Sequence, residues 1–73
     1  MADFSYEVKQ KYGVLSESAR GWTREVRLIS WNGGKPKIDI RDWAPDDSKM
    51  GKGITLTDEE AAVLRDVLGE ITI

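Results

Sequence analysis

Trp31, Lys37, Arg41 and Trp43 put two indoles and two cations into one short stretch, bordered by turn residues. Side chains of these types share one kind of chemistry. A cation meets a phosphate, and a flat ring meets an unpaired base. Stacking a base on an aromatic ring is worth about 1–3 kcal/mol and accepts any base. Lys and Arg add salt-dependent phosphate contacts that read no sequence.

Other chemistries find fewer footholds. The chain has no Cys and no His, which removes thiol nucleophiles, imidazole bases and Ser-His-Asp triads. It also removes disulfides and the usual transition-metal ligands. Asp46-Asp47 could ligate Mg²⁺ or Ca²⁺, but adjacent acids beside Pro45 read more simply as a solvated turn. Gly51-Lys52-Gly53-Ile54-Thr55 lacks the GxxxxGK[ST] spacing of a phosphate loop, and no helix follows it directly. The expectation is a protein with no catalysis, no cofactor, no metal and no small-molecule substrate.

The elements that must position the rings and cations are strands. Phe4, Tyr6 and Val8 alternate with Asp3, Ser5, Glu7, Lys9 and Lys11, the period-two pattern of a half-buried strand. It continues, bent, through Tyr12, Val14 and Leu15, with Gly13 a candidate bulge. Ser16–Gly21 reads as a turn. A second strand spans residues 22–31, with Trp22, Val26 and Leu28 in one register and Thr23, Glu25, Arg27, Ile29 and Trp31 in the other. Asn32-Gly33-Gly34 is a turn signal, because Asn and Gly tolerate positive φ. Pro36 cannot donate to a ladder, so pairing resumes after it. The third strand runs from Lys37 to about Trp43, the loop 44–51 follows, and Lys52–Thr57 forms a short fourth strand. Thr57-Asp58-Glu59-Glu60 fits a capping box opening a helix to about Gly69 or Glu70. The expected fold is α+β, β-β-β-β-α, in one domain covering residues 1–73.

With even positions turned to the helix, Ile38, Ile40, Ile54 and Leu56 are core. The opposite face then collects Lys9, Lys11, Arg27, Trp31, Lys37, Arg41 and Trp43, opposed by Glu7, Glu25 and Asp39. Singly, each Lys or Arg is an ordinary solubility residue. Trp31 could instead close the end of a barrel, and Trp43 could pack under the loop that follows it. Only their coincidence on one face argues for binding.

Charge, size and helix patterning complete the reading. The net charge of −2 is unevenly spread. Residues 1–57 carry ten Lys/Arg against eight Asp/Glu, and residues 58–73 carry Arg65 against five acids. Overall acidity therefore says little about a local basic patch. No apolar run approaches a membrane span of about 20 residues. Met1–Ser5 carries no signal-peptide pattern, so a cytoplasmic location is expected. Seventy-three residues are near the lower limit for a self-sufficient core, and oligomerisation is the remaining device. The helix stripe of Ala61, Leu64, Leu68 and Ile71 is widened by Val63 and Val67 beyond what one sheet face requires. Either the helix is deeply set, or Val63, Leu64, Val67, Leu68 and Ile71 meet a second copy in a homodimer.

At Ile38-Asp39-Ile40-Arg41-Asp42-Trp43 and Met50-Gly51-Lys52-Gly53-Ile54-Thr55-Leu56-Thr57 the chain resembles the transcriptional coactivator family of positive cofactor four (PC4). The likeness is strongest to its small bacterial YdbC-like branch, and covers about Gly21 to Ile71. The resemblance implies a strongly curved four-stranded antiparallel sheet, one C-terminal helix, a homodimer, and single-stranded DNA held with little sequence preference. It carries the family's ring onto Trp31, its hairpin lysines onto Lys35 and Lys37, and its arginine onto Arg41. The ring after that arginine falls on Trp43, and the loop lysines fall on Lys49 and Lys52. Single-stranded RNA is a further candidate ligand, and a module docking a transcription component is the alternative reading.

Overall fold

A computed structural model describes residues 4–73. Four strands, β1 (Tyr6–Glu17), β2 (Thr23–Trp31), β3 (Lys37–Trp43) and β4 (Met50–Leu56), precede one helix, α1 (Asp58–Glu70). The strands form one antiparallel meander in the order β1-β2-β3-β4. This is the expected α+β architecture. Asp3, where the first strand was expected to open, lies outside the described residues.

Local chemistry sets the connections. In the β2–β3 hairpin Asn32 and Gly33 take φ of 50° and 74°, and the Gly34 N–H donates to the Trp31 carbonyl at 2.8 Å. Successive positive φ values match the twist of the flanking strands. The β2–β3 register is reinforced by charge. Glu25 stands opposite Arg41, Arg27 opposite Asp39 and Arg24 opposite Asp42, so a two-residue slip would set like charges against each other, Glu25 on Asp39 or Arg27 on Arg41. Thr57 caps α1 with the expected box: Thr57 Oγ1 accepts from the Glu60 N–H (3.1 Å), and Glu60 Oε1 accepts from the Thr57 N–H (2.9 Å).

β1 carries three register shifts, between Val8 and Gln10, Lys11 and Gly13, and Val14 and Ser16. Each shift bends the strand and adds twist. Together they curve the sheet, and Gly13 lies at one of them as expected.

The location of the core corrects the sequence reading. Leu56 is buried as expected, but Val26, Leu28, Ile38 and Ile40 on the helix side are only half-buried, and Ile54 is exposed. The most deeply buried residues sit on the opposite face: Glu25, Arg27, Ile29, Asp39 and Trp43. Among the described residues no element covers that face. Instead the bend lets long side chains from different strands bury one another; the Tyr6 ring from β1 lies 5.8 Å from the Trp43 ring of β3. Conversely, α1 buries none of its own residues. Its Ala61, Leu64 and Leu68, with Leu15, Val26, Ile38, Ile40 and Leu56, line an apolar groove of about 380 Å³ between helix and sheet.

Candidate nucleic-acid interface

A groove of about 420 Å³ opens on the face away from the helix, lined by Phe4, Trp31, Gly34, Lys35, Lys37, Arg41, Met50 and Thr55. It joins the end of β2, the hairpin, the start of β3, and β4. Four of the expected residues thus meet: Trp31, Lys35, Lys37 and Arg41.

The aromatic wall is built around Trp31. Phe4 and Tyr6 both place their rings 5.8 Å from it, tilted by 42° and 44°. Phe4 is held there by a two-point clamp on its neighbour. The Ser5 N–H donates to Asn32 Oδ1 (2.9 Å), and the Asn32 N–H donates to the Ser5 carbonyl (2.8 Å). The hairpin turn therefore also fixes the chain entering β1. The Arg41 guanidinium lies 5.1 Å from the Trp31 ring centre, within cation–π range.

The cations differ in what already holds them. Arg41 donates through Nε and Nη2 to the two carboxylate oxygens of Asp39 (2.9 and 3.1 Å), and through Nη1 to the Gly51 carbonyl (3.1 Å). Asp39, fully buried, also accepts from the Thr55 hydroxyl at 2.6 Å. Lys35 pairs with Asp58 at the start of α1 (2.7 Å), a hydrogen bond that raises the lysine's pKa. Lys37 is exposed and, among the described residues, has no ion-pair partner.

Other expected contacts lie elsewhere. Arg27 and Trp43, read as exposed, are each only 1% exposed. Arg27 stacks 3.9 Å from the Trp43 ring centre, donates through Nε to Glu25 (2.8 Å), and through Nη1 and Nη2 to Asp47 (3.3 and 3.1 Å). Burial alone would lower the pKa of Arg27, but its hydrogen bonds to Glu25 and Asp47 leave it raised. Burial likewise opposes ionisation of Glu25, but Arg27 and the Thr23 hydroxyl outweigh it and hold the carboxyl below its ordinary value. Trp43 thus packs against the Tyr6 ring and beneath a cation that the loop holds, and is not the exposed ring expected on that face. Neither the Trp31 nor the Trp43 indole N–H has an acceptor among the described residues.

Lys11 stands opposite Arg27 and 3.8 Å from Asp47. Lys9 has no register partner, because it falls at the first shift of β1, and it pairs instead with Glu7 (3.1 Å). Lys49 and Lys52 are exposed but line no part of the groove. Lys52 sits in the irregularity between the Arg41–Gly53 and Trp43–Met50 pairs, which frees it from the inner face its parity implied. Asp46 accepts from the Ser48 N–H (3.0 Å) while Asp47 holds Arg27, so the acidic pair serves the loop. Among the described residues there is no cluster of acids that could hold a metal ion.

Phe4, Gly34, Met50 and Thr55 belong to the groove but were not read as site residues. Period-two alternation groups Phe4 with Tyr6 and Val8 on the even positions expected to face the core. The observed pairing of Tyr6 with Trp31 puts an even β1 position beside an odd β2 one, and only the turn and the bulges determine that offset.

Comparison with known proteins agrees with this architecture. The family described as Transcriptional Coactivator p15 (PC4) matches residues 18–67, a span that holds β2, β3, β4 and every groove residue except Phe4. An uncharacterized protein of Treponema pallidum (strain Nichols) is 54% identical over 71 residues, 97% of this chain and 84% of the relative. The chain, with its four-stranded antiparallel meander and single C-terminal helix, belongs to the PC4 transcriptional coactivator family.

Proposed function

We propose that the chain binds single-stranded DNA without sequence preference, by stacking and phosphate contact and with no covalent chemistry. One observation carries this reading: the groove sets exposed Lys37, with Lys35 and Arg41, beside the Phe4–Trp31 rings. A phosphate fits the cations and an unpaired base fits the ring edge of the same groove. Single-stranded RNA offers the same two groups, and nothing in the lining selects for a 2′-hydroxyl.

The proposal includes a homodimer. Val63, Val67 and Leu68 on α1 and Ile71 just beyond it remain between 46% and 60% exposed, and with Leu64 they form an apolar surface of the kind a partner covers. Sedimentation at micromolar concentration should return the mass of two chains, and a stable monomer would refute this part.

Binding is tested with fluorescent oligo-dT at low salt. Lys37→Ala should weaken affinity roughly threefold to tenfold, since one phosphate contact is lost, and leave the thermal melt unchanged. Matched oligo-rU in competition ranks DNA against RNA. A wild-type protein indifferent to both oligomers, or a Lys37→Ala variant that binds as wild type does, would overturn the site.

A further inference from the structure

The loop between β3 and β4 makes an ion-pair contact with the sheet through Asp47 and Arg27. Asp47 presents both carboxylate oxygens to Arg27, at 3.1 Å from Nη2 and 3.3 Å from Nη1, with Lys11 Nζ 3.8 Å away. Two cations converging on one two-oxygen anion make a phosphate-shaped site, because a guanidinium fork accepts a carboxylate or a phosphate alike. Arg27 is prepared for this role. Glu25 Oε1 lies 2.8 Å from both Nε and Nη2, and Trp43 backs the plane, so a ligand would meet Nη1 and share Nη2 with Glu25, as Asp47 does.

Ala44 is buried and Pro45 packs near Gly21, but among the described residues the rest of the loop is hydrogen-bonded to the sheet only through Asp47. Its other hydrogen bonds among the described residues are internal: Ala44 N–H to the Lys49 carbonyl, Asp47 N–H to the Ala44 carbonyl, and Ser48 N–H to Asp46. Asp47 itself is half exposed on its side chain and takes φ of 60°, a left-handed conformation that Asp and Asn tolerate. The site also continues the groove. From Trp31 a row of rings runs through Tyr6 to Trp43, each step 5.8 Å between centres, and ends on Arg27.

We propose that Lys11 and Arg27 form a phosphate-binding site held shut by Asp47, whose carboxylate stands where a strand phosphate would sit. The loop 44–49 is then an autoinhibitory latch. Exchange of carboxylate for phosphate keeps Arg27 paired throughout, stacked on Trp43 as before. The inference rests on the nucleic-acid reading above and adds a regulated second contact to it.

The experiment measures oligo-dT affinity by fluorescence anisotropy across a salt series for wild type, Asp47→Asn and Asp46→Asn. Asn retains the left-handed backbone at residue 47 and the acceptor for Ser48 at residue 46. Asp47→Asn should tighten binding roughly threefold to tenfold, the size of one partly exposed ion pair. It should also steepen the salt slope by about 0.7, one extra phosphate on a single strand. Asp46→Asn makes the same change in net charge without touching Arg27, and should tighten binding less than twofold on the order of long-range screening. Adding Lys11→Gln to Asp47→Asn should remove most of the gain. A second variant inserts two glycines between Ser48 and Lys49, loosening the loop at constant charge, and should tighten binding in the same direction.

Equal gains from Asp47→Asn and Asp46→Asn, or no gain from Asp47→Asn and the glycine insertion, overturn the latch while wild-type binding keeps the proposed function. Absence of binding by wild type and every variant overturns both. Tighter binding by Asp47→Asn than by wild type, with Asp46→Asn close to wild type, supports the latch.

Discussion

Arg41 is the residue whose removal is easiest to misread, because it serves the groove and the core together. Its guanidinium is the main partner of Asp39, whose carboxylate is 0% exposed. Arg41→Met leaves that carboxylate with the Thr55 hydroxyl alone. Stranding one charge of a buried pair costs about 3–5 kcal/mol. A chain of 73 residues has a total stability of about 4–11 kcal/mol at 0.05–0.15 kcal/mol per residue. Arg41→Met should therefore remove most of the folding stability, and lost DNA binding by this variant would report unfolding. Asp39→Asn should cost less, about 1–3 kcal/mol for imperfect hydrogen bonding, because Arg41 keeps the Gly51 carbonyl and some solvent. The double variant removes both charges and should cost about 1–3 kcal/mol, well below the sum of the single changes. Urea unfolding followed by tryptophan fluorescence at fixed protein concentration measures all three. The reasoning is refuted if Arg41→Met costs under about 1 kcal/mol, or if the double variant costs the sum of the singles, within the usual tolerance of such cycles. A folded double variant then gives a valid measure of the Arg41 contribution to oligo-dT affinity.

Two further predictions concern the sheet itself. Gly53 stands opposite Arg41, where a β-carbon would lie 2.5 Å from the Ile40 carbonyl oxygen and 2.6 Å from Arg41 Cβ. Gly53→Ala should destabilise by about 1–3 kcal/mol through overpacking against backbone, read as a lower urea midpoint; an unchanged midpoint would show that β4 yields freely. For pH, Glu25 and Asp47 are held below their ordinary values of 4.5 and 3.8, Glu25 against its burial and by Arg27 and Thr23, Asp47 chiefly by its hydrogen bonds to Arg27. The unfolded chain takes up these protons first, so the stabilisation is complete above about pH 5 and is lost as pH falls through 4.5 and below. Glu25→Gln should make that acid decline shallower in unfolding curves from pH 7 to pH 3, and an unchanged slope would remove Glu25 from the account.

Much of this molecule was legible in its residues, and the part that was not has one physical cause. The alternation of strands, the Asn32-Gly33 turn, the bulge at Gly13 and the Thr57 capping box depend on interactions within a few residues, and all four stand in the structure. So do the two faces of β2 and β3, because side-chain direction alternates within a strand. How deeply each face is buried is a different matter. It depends on curvature summed over the three shifts of β1 and on how much of the sheet a 13-residue helix can cover. Those quantities reversed the expected burial, sealing Arg27 and Trp43 and leaving Ile54 exposed.

The groove shows the same division. Trp31, Lys35, Lys37 and Arg41 were marked by residue type, by parity or by family likeness, whereas Phe4 required the offset between β1 and β2, which no single strand encodes. Which cations are already paired was equally out of reach, since Asp47 meets Arg27 across 20 residues and Asp58 meets Lys35 across 23. Sequence alone determined the elements and the chemistry available, because those are local properties of side chains and short backbone segments. Tertiary structure alone decided which rings and charges remain accessible, because accessibility depends on the distances that folding creates between residues far apart in the chain.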